Sequence, residues 1–218
     1  MSAKRLRVAI LISGRGSNMR ALVEAARAED FPAEIILVLS NVPAAEGLAF
    51  AKDQGIATAV VDHRTFADRE RFERDMQATL QKHGAELVCL AGFMRLLTPW
   101  FVEQWRDRML NIHPALLPSY RGLHTHERAL AEGVKIHGAT VHFVAPAMDA
   151  GPIVAQAAAP VLDGDTPETL AARVLKLEHQ IYPLALKLVA GGLARVEGAR
   201  VRIASEQAAP AGLVWPQA

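Results

Sequence analysis

Apolar positions in this chain follow two rhythms. Leu6–Ile12, Ile35–Leu39, Ala57–Val61 and Leu87–Ala91 are short, nearly unbroken apolar runs, and Met109–His113 is a fifth run that turns polar at its end. Runs of this length closed by Gly or polar residues read as strands buried on both faces. Between them, apolar residues recur at helical spacing. The first helix is capped by Ser17 or Asn18 and runs to about Ala28, with Met19, Leu22, Val23 and Ala26 on one face. Glu46–Gln54 is a short helix ended by Gly55, and Thr65–His83 a long charged one closed by Gly84, with Phe66, Phe72, Met76 and Leu80 near one face. Strands alternating with helices predict an α/β fold, a mostly parallel central sheet with helices on both faces.

The pattern then changes. Ala139–Val144 alternates, with Thr140 and His142 on one face and Val141 and Phe143 on the other. Pro152–Ala158 follows the tight Met148–Pro152 turn, so the two segments predict an antiparallel addition to the sheet. Asp165-Thr-Pro-Glu168 opens a long helix, and Leu170, Val174, Leu177, Ile181, Leu184 and Leu188 keep its spacing as far as Gly191-Gly192. Ala194–Val196 and Arg200–Ile203 read as a short hairpin, and the Pro/Ala/Gln-rich tail as loose. The expectation is one domain over residues 1–218, with its core at about 6–190 and the hairpin and tail at about 191–218.

Composition narrows the class. The 218 residues carry 24 Lys plus Arg against 23 Asp plus Glu, a net charge of +1. That leaves no bulk basic surface for nucleic acid. Cys89 is the only cysteine, so there is no internal disulfide framework. The early apolar run Val8–Ile12 is too short for a secretion signal, and no run approaches a membrane span. The expectation is a soluble, cytoplasmic protein without a membrane partner.

Several residues could carry chemistry. Ser13-Gly-Arg-Gly-Ser-Asn18 lies between the first strand and the first helix, where a helix N-terminus meets a ligand phosphate in an open α/β sheet. The dinucleotide fingerprint fails here: Met19 stands where a third glycine is needed, and Ser40-Asn41 where an acid should end the second strand. The loop therefore reads as a monophosphate cradle or an ordinary glycine-rich turn. Asn111 and His113 share one side of the fifth strand, which Pro114 ends. An amide and an imidazole there can hold a carbonyl oxygen and move a proton; a capped polar strand end is the plain alternative. Asp149 is a turn residue that could pair with His113, though sequence cannot bring the two together. His124, His126, His137 and His142 lack the cysteine or Glu that would complete a zinc site, so no metal is expected. Cys89 reads as a small core residue. Glu178, at the rim of the last helix's apolar stripe, and Arg69 and Arg71 read as solvated flank residues. Met94-Arg-Leu-Leu97 forms either a core lid or the wall of a pocket for a flat ligand.

Taken together, Leu11–Asn18, Leu90-Ala-Gly-Phe-Met-Arg95, Leu110-Asn-Ile-His-Pro-Ala-Leu-Leu-Pro118, His137–Val144 and Met148–Pro152 resemble the phosphoribosylglycinamide formyltransferase family, folate-dependent enzymes of purine biosynthesis. The likeness runs from about Leu6 to Pro183. It implies a Rossmann-like formyltransferase fold and transfer of a formyl group from 10-formyltetrahydrofolate, the co-substrate, to the glycinamide amine, with no metal. It implies that Asn111 holds the formyl oxygen, that His113 stabilises it and donates the proton, and that Asp149 pairs with His113 and keeps it charged. Gly16, Ser17 and Asn18 would hold the substrate phosphate, and Leu175, Lys176, Leu177 and Glu178 the rest of that substrate, with Glu178 on its ribose hydroxyls. The folate would lie against Arg69, Met94, Arg95, Leu96, Leu97 and the loop Ala145, Pro146, Ala147, Met148 and Asp149, and touch Asn111. Arg15 in the phosphate loop departs from the small or polar residue common there and adds a helpful cation. Tyr120-Arg-Gly122 is similar to a motif of methionyl-tRNA formyltransferases, but a near-neutral chain lacks a basic face for tRNA. The resemblance leaves a formyl-folate hydrolase, or another amine formyltransferase, as the alternative, and small-molecule substrates and a monomer or homodimer as the expected partners.

Overall fold

The computed structural model describes residues 4–204 and contains one large sheet. Its strands are β1 (Leu6–Ile12), β2 (Ala33–Ser40), β3 (Ala57–Val60), β4 (Leu87–Leu90), β5 (Met109–His113), β6 (Ile136–Phe143) and β7 (Ile153–Pro160), in the order β3-β2-β1-β4-β5-β6-β7. The first five pair in parallel, while β6 runs antiparallel to β5 and β7 antiparallel to β6. The α/β expectation with an antiparallel addition is what forms. Two further strands, β8 (Ala194–Glu197) and β9 (Arg200–Ile203), make a separate antiparallel hairpin. The tail expected to be loose lies outside the described residues.

Alternation along each strand divides the core into two layers. Val8, Ile10 and Ile12 point to one face with Leu87, Cys89, Leu110 and Ile112. Helices α1 (Ser17–Ala25), α2 (Glu46–Asp53), α5 (Thr125–Ala131) and α6 (Pro167–Ala190) cover that face. Ala9, Leu11, Val88, Leu90 and Met109 point to the other, under α3 (Arg69–Lys82) and α4 (Pro99–Gln104). Each fully buried Ile or Leu contributes about 1.5–3 kcal/mol relative to exposure. The long helix α6 begins at a capping box of Thr166 and Thr169. It crosses the sheet with Tyr182 fully buried, whose hydroxyl lies 3.0 Å from the Leu90 carbonyl and 3.1 Å from that of Leu110. Cys89 beside it is a core residue, its thiol pushed up to about 12 by burial.

Where local chemistry competes, the elements depart from the simple pattern. The long charged helix starts at Arg69 rather than Thr65, because Asp68 accepts the Arg71 N–H at 2.8 Å and caps it; residues His63–Thr65 form a separate 3₁₀ turn. Phe66 lies outside the helix but packs edge-on against Phe72. Ser17 and Asn18 do not cap α1: Gly16 occupies the cap position in left-handed geometry (φ 70°), with no side-chain cap bond. The short helices α4 and α5 were not legible from spacing, although Thr98-Pro99 is a capped start with the Thr98 hydroxyl accepting from the Phe101 N–H.

Candidate active site

The strand order reverses between β1 and β4, since the chain leaves β1 first for β2 and only later returns on its other side. At such a switch the loops after neighbouring strands diverge and open a crevice at the carboxyl edge. A cavity of about 240 Å³ lies there, lined by the whole Ser13–Asn18 loop with Ala91, Gly92 and Met94.

The loop after β1 is shaped for an anion. Positive φ at Gly16 turns the chain into α1, and an added Cβ would meet the Met19 methyl at 2.8 Å. Without a side-chain cap, the first backbone N–H groups of α1 keep their donors for a ligand at the positive end of the helix. Asn18 is buried, and its Nδ2 donates to Glu178 Oε2 at 2.6 Å. Glu178 is therefore a correction to the reading of this residue as a solvated flank. It is 8% exposed, and burial raises its carboxyl above the ordinary value while the Asn18 bond opposes that. Of its neighbours, Leu175 and Leu177 are half-buried and Lys176 is exposed.

At the end of β5, antiparallel pairing sets Asn111 opposite His142 and His113 opposite Thr140. The Asn111 amide Nδ2 lies 3.2 Å from His142 Nε2, and His142 Nδ1 lies 2.8 Å from the Phe143 carbonyl. Burial lowers the His142 pKa; the Phe143 carbonyl can only accept, so Nδ1 carries a proton, which leaves Nε2 of the neutral ring to accept from Asn111. His142 thus aims the Asn111 amide; it is a site residue that strand alternation put on the right face without naming its partner. His113 is buried with Nε2 2.9 Å from the Tyr120 carbonyl and Nδ1 3.5 Å from Asp149 Oδ2. Asp149 stands in left-handed geometry (φ 50°), accepts the Gly122 N–H at 2.9 Å and lies 3.8 Å from His142 Nε2. The structure therefore brings together the three residues that sequence could not.

Two apolar segments flank this cluster. In the loop after β4, Met94 is 69% and Leu96 60% exposed, while Leu97 packs into the core beneath α3 and α4 and Arg95 is half-buried. In the loop after β6, Ala145 is half-buried and Pro146, Ala147 and Met148 are exposed, with Met148 beside Gly122. Arg69, the first residue of α3, is exposed. The remaining histidines separate: His124 pairs with Glu127 on the surface at 3.2 Å, while the His126 and His137 rings meet edge to face at 5.2 Å. Burial lowers both of the latter, His137 to about 4. Among the described residues no three His, Cys, Asp or Glu side chains gather as a metal site.

An aimed amide beside a carboxylate-paired imidazole, on a rigid strand end, suits transfer of a carbonyl carbon: one group steadies the oxygen as it gains charge and the other moves the proton. Residues 6–186 match the formyl transferase family, and the chain belongs to it. It is 42% identical over 187 residues to phosphoribosylglycinamide formyltransferase of Escherichia coli strain K12, covering 86% of this chain and 88% of that one. It is 49% identical over 189 residues to the human trifunctional purine biosynthetic protein adenosine-3; this covers 87% of the chain but 19% of that protein, and the chain spans 14–20% of the length of the trifunctional relatives it matches. The crystal structure of glycinamide ribonucleotide transformylase 1 from Symbiobacterium toebii superimposes with a TM-score of 0.90 at 43% identity, over 92% of this chain and 95% of that one.

Proposed function

We propose that this protein transfers the formyl group of 10-formyltetrahydrofolate to the amino group of 5′-phosphoribosylglycinamide, giving the N-formyl product and tetrahydrofolate. The observation that carries the reading is the link between the uncapped helix N-terminus and the Asn111–His113–Asp149 cluster: Glu178, bonded to Asn18 in the phosphate loop, lies close enough to His113 to feel its charge. The substrate phosphate sits on the N–H groups of Gly16, Ser17 and Asn18, and Glu178 takes the ribose hydroxyls, with Leu175, Lys176 and Leu177 beside it. The folate lies between Met94–Leu97 and Ala145–Asp149, with Arg69 at its charged end. The acceptor amine attacks the formyl carbon, and the carbonyl pair moves onto oxygen; as that pair returns, the bond from carbon to the folate nitrogen breaks, and the proton shed by the attacking amine replaces the one His113 gives up. Asn111 donates a hydrogen bond to that oxygen, and His113 stabilises it and supplies the proton that leaves with the folate nitrogen. When charged, the His113 ring has an N–H for each of its two acceptors, Asp149 and Tyr120. The Tyr120 carbonyl occupies Nε2, so donation from that nitrogen requires the carbonyl to give way. No metal or covalent intermediate is required, because the formyl donor is already activated. The reading places the enzyme in the cytoplasm, as a monomer or homodimer.

A hydrolase would use the same three residues on water and ignore the phosphate loop. Steady-state assays with and without the phosphorylated amine separate the two. Asn18→Ala keeps the backbone N–H but removes the amide that holds Glu178 toward the ribose; it is expected to raise the KM for the amine by about tenfold, the worth of one lost hydrogen bond, and to leave the KM for formyl-folate little changed. Formyl-folate cleavage at equal rates with and without the amine would overturn the transferase reading.

A further inference from the structure

The phosphate loop and the apolar wall for the folate come from different strands, yet one side chain ties them together. Ser13 follows β1 directly, and its backbone N–H donates to the Gly92 carbonyl at 3.1 Å. Its hydroxyl accepts the Met94 N–H at 2.8 Å and donates to Asn41 Oδ1 at 2.6 Å. Asn41 is 2% exposed at the end of β2, so the hydroxyl is anchored to a buried, fixed amide. The next residue, Gly14, accepts the Gly47 N–H at 3.1 Å, which fastens the loop to α2 as well. A hydroxyl has one proton, and here it is committed to Asn41, so its lone pairs are aimed at Met94. The wall Met94–Leu97 is held separately at its far end, where Glu73, fully buried on α3, accepts the Thr98 N–H at 2.7 Å and also the Thr98 hydroxyl.

Resting on the two-substrate reading above, we infer that Ser13 is a positioning residue that couples the two halves of the site. A phosphate seated on residues 16–18 holds the loop that carries Ser13, and the Ser13 hydroxyl passes that hold to Met94, at the start of the folate wall. Linkage then requires each substrate to tighten the other by the same factor. Glu73 holds only the wall, so it sets folate affinity without carrying the coupling.

Calorimetry on the full chain tests this with two ligands that cannot react together, tetrahydrofolate and 5′-phosphoribosylglycinamide. Tetrahydrofolate is expected to bind the unaltered protein about fivefold or more tightly when the amine is saturating. In Ser13→Ala that ratio falls to near one, and Ser13→Thr, which keeps the hydroxyl, restores it. Glu73→Gln weakens tetrahydrofolate with and without the amine alike and keeps the ratio. A ratio of one in the unaltered protein, or an undiminished ratio in Ser13→Ala, overturns the coupling while leaving the two-substrate reading intact. Failure of the unaltered protein to bind either ligand overturns both.

Discussion

His113 meets an acceptor on each side, and Asn111 is aimed by a ring that has only one way to bond it. Each residue therefore has a separable task. His113→Ala and Asn111→Ala are each expected to lower kcat/KM by about 10²–10⁴-fold, the usual loss for a general acid or an oxyanion donor. Asp149→Asn can still accept the Gly122 N–H and so keeps the turn, but it removes the charge beside His113; a fall in kcat of about 10²-fold in rate assays, with unchanged melting, is expected. His142→Phe leaves the Asn111 amide unaimed, and a tenfold loss in kcat, without a change in KM for the amine, is its signature. At this scale Asn111, His113 and the Asp149 turn stand out as breaks in the apolar pattern, but pattern alone leaves each a plain structural alternative, and their roles come from the family resemblance. His142 was seen on the correct face, but its partner depends on the register between β5 and β6, which lie far apart in sequence. Glu178 was misjudged because its burial comes from Asn18 on another helix, a contact that periodicity cannot contain.

Elements carry these residues to their places through a few close approaches. An added Cβ at Gly151 would stand 1.8 Å from the Phe143 carbonyl, so the chain after Asp149 can lie against β6 only as glycine. Gly151→Ala is expected to cost several kcal/mol of stability by chemical denaturation, as backbone overlap does, and to displace Asp149, lowering activity further than Asp149→Asn alone. β1 and β5 have the ends their sequence predicts, since buried apolar runs closed by glycine or proline leave little ambiguity, whereas β2 and β7 each extend two residues past one expected end and β6 begins three residues early, at Ile136. Helix ends were less so. Asp68 overrode the apolar spacing at the start of α3, and α4 and α5 are too short for a period to show.

The whole molecule should report its buried histidines when acidified. His137 titrates near 4 when folded, against 6.5 unfolded, and His142 is also lowered, in both cases chiefly by burial. Between those values the unfolded chain binds protons that the folded one excludes, so stability falls as pH drops from about 6.5 towards 4. Melting curves should move down by several degrees across that window, and His137→Gln should flatten the change. The Asp165 carboxyl acts at lower pH. Its two bonds to Arg173, at 2.6 and 2.8 Å, hold it well below the usual carboxylate range, so its contribution is intact above about 4 and is lost only in stronger acid. Fold class was legible at this scale from the alternation of strands and helices. Strand order was not, because nothing in a single strand's composition says which neighbours it will take.

That order has a price in time. β1 leaves the ribosome well before one of its strand partners, β4, and before α6, one of the helices over its face. Neither can dock until much of the chain has been synthesised, and pairings so distant in sequence make for slow folding. Until then Val8, Ile10 and Ile12 expose apolar surface on a strand with an open edge, so the nascent chain is most prone to aggregate at a strand that is later enclosed between β2 and β4.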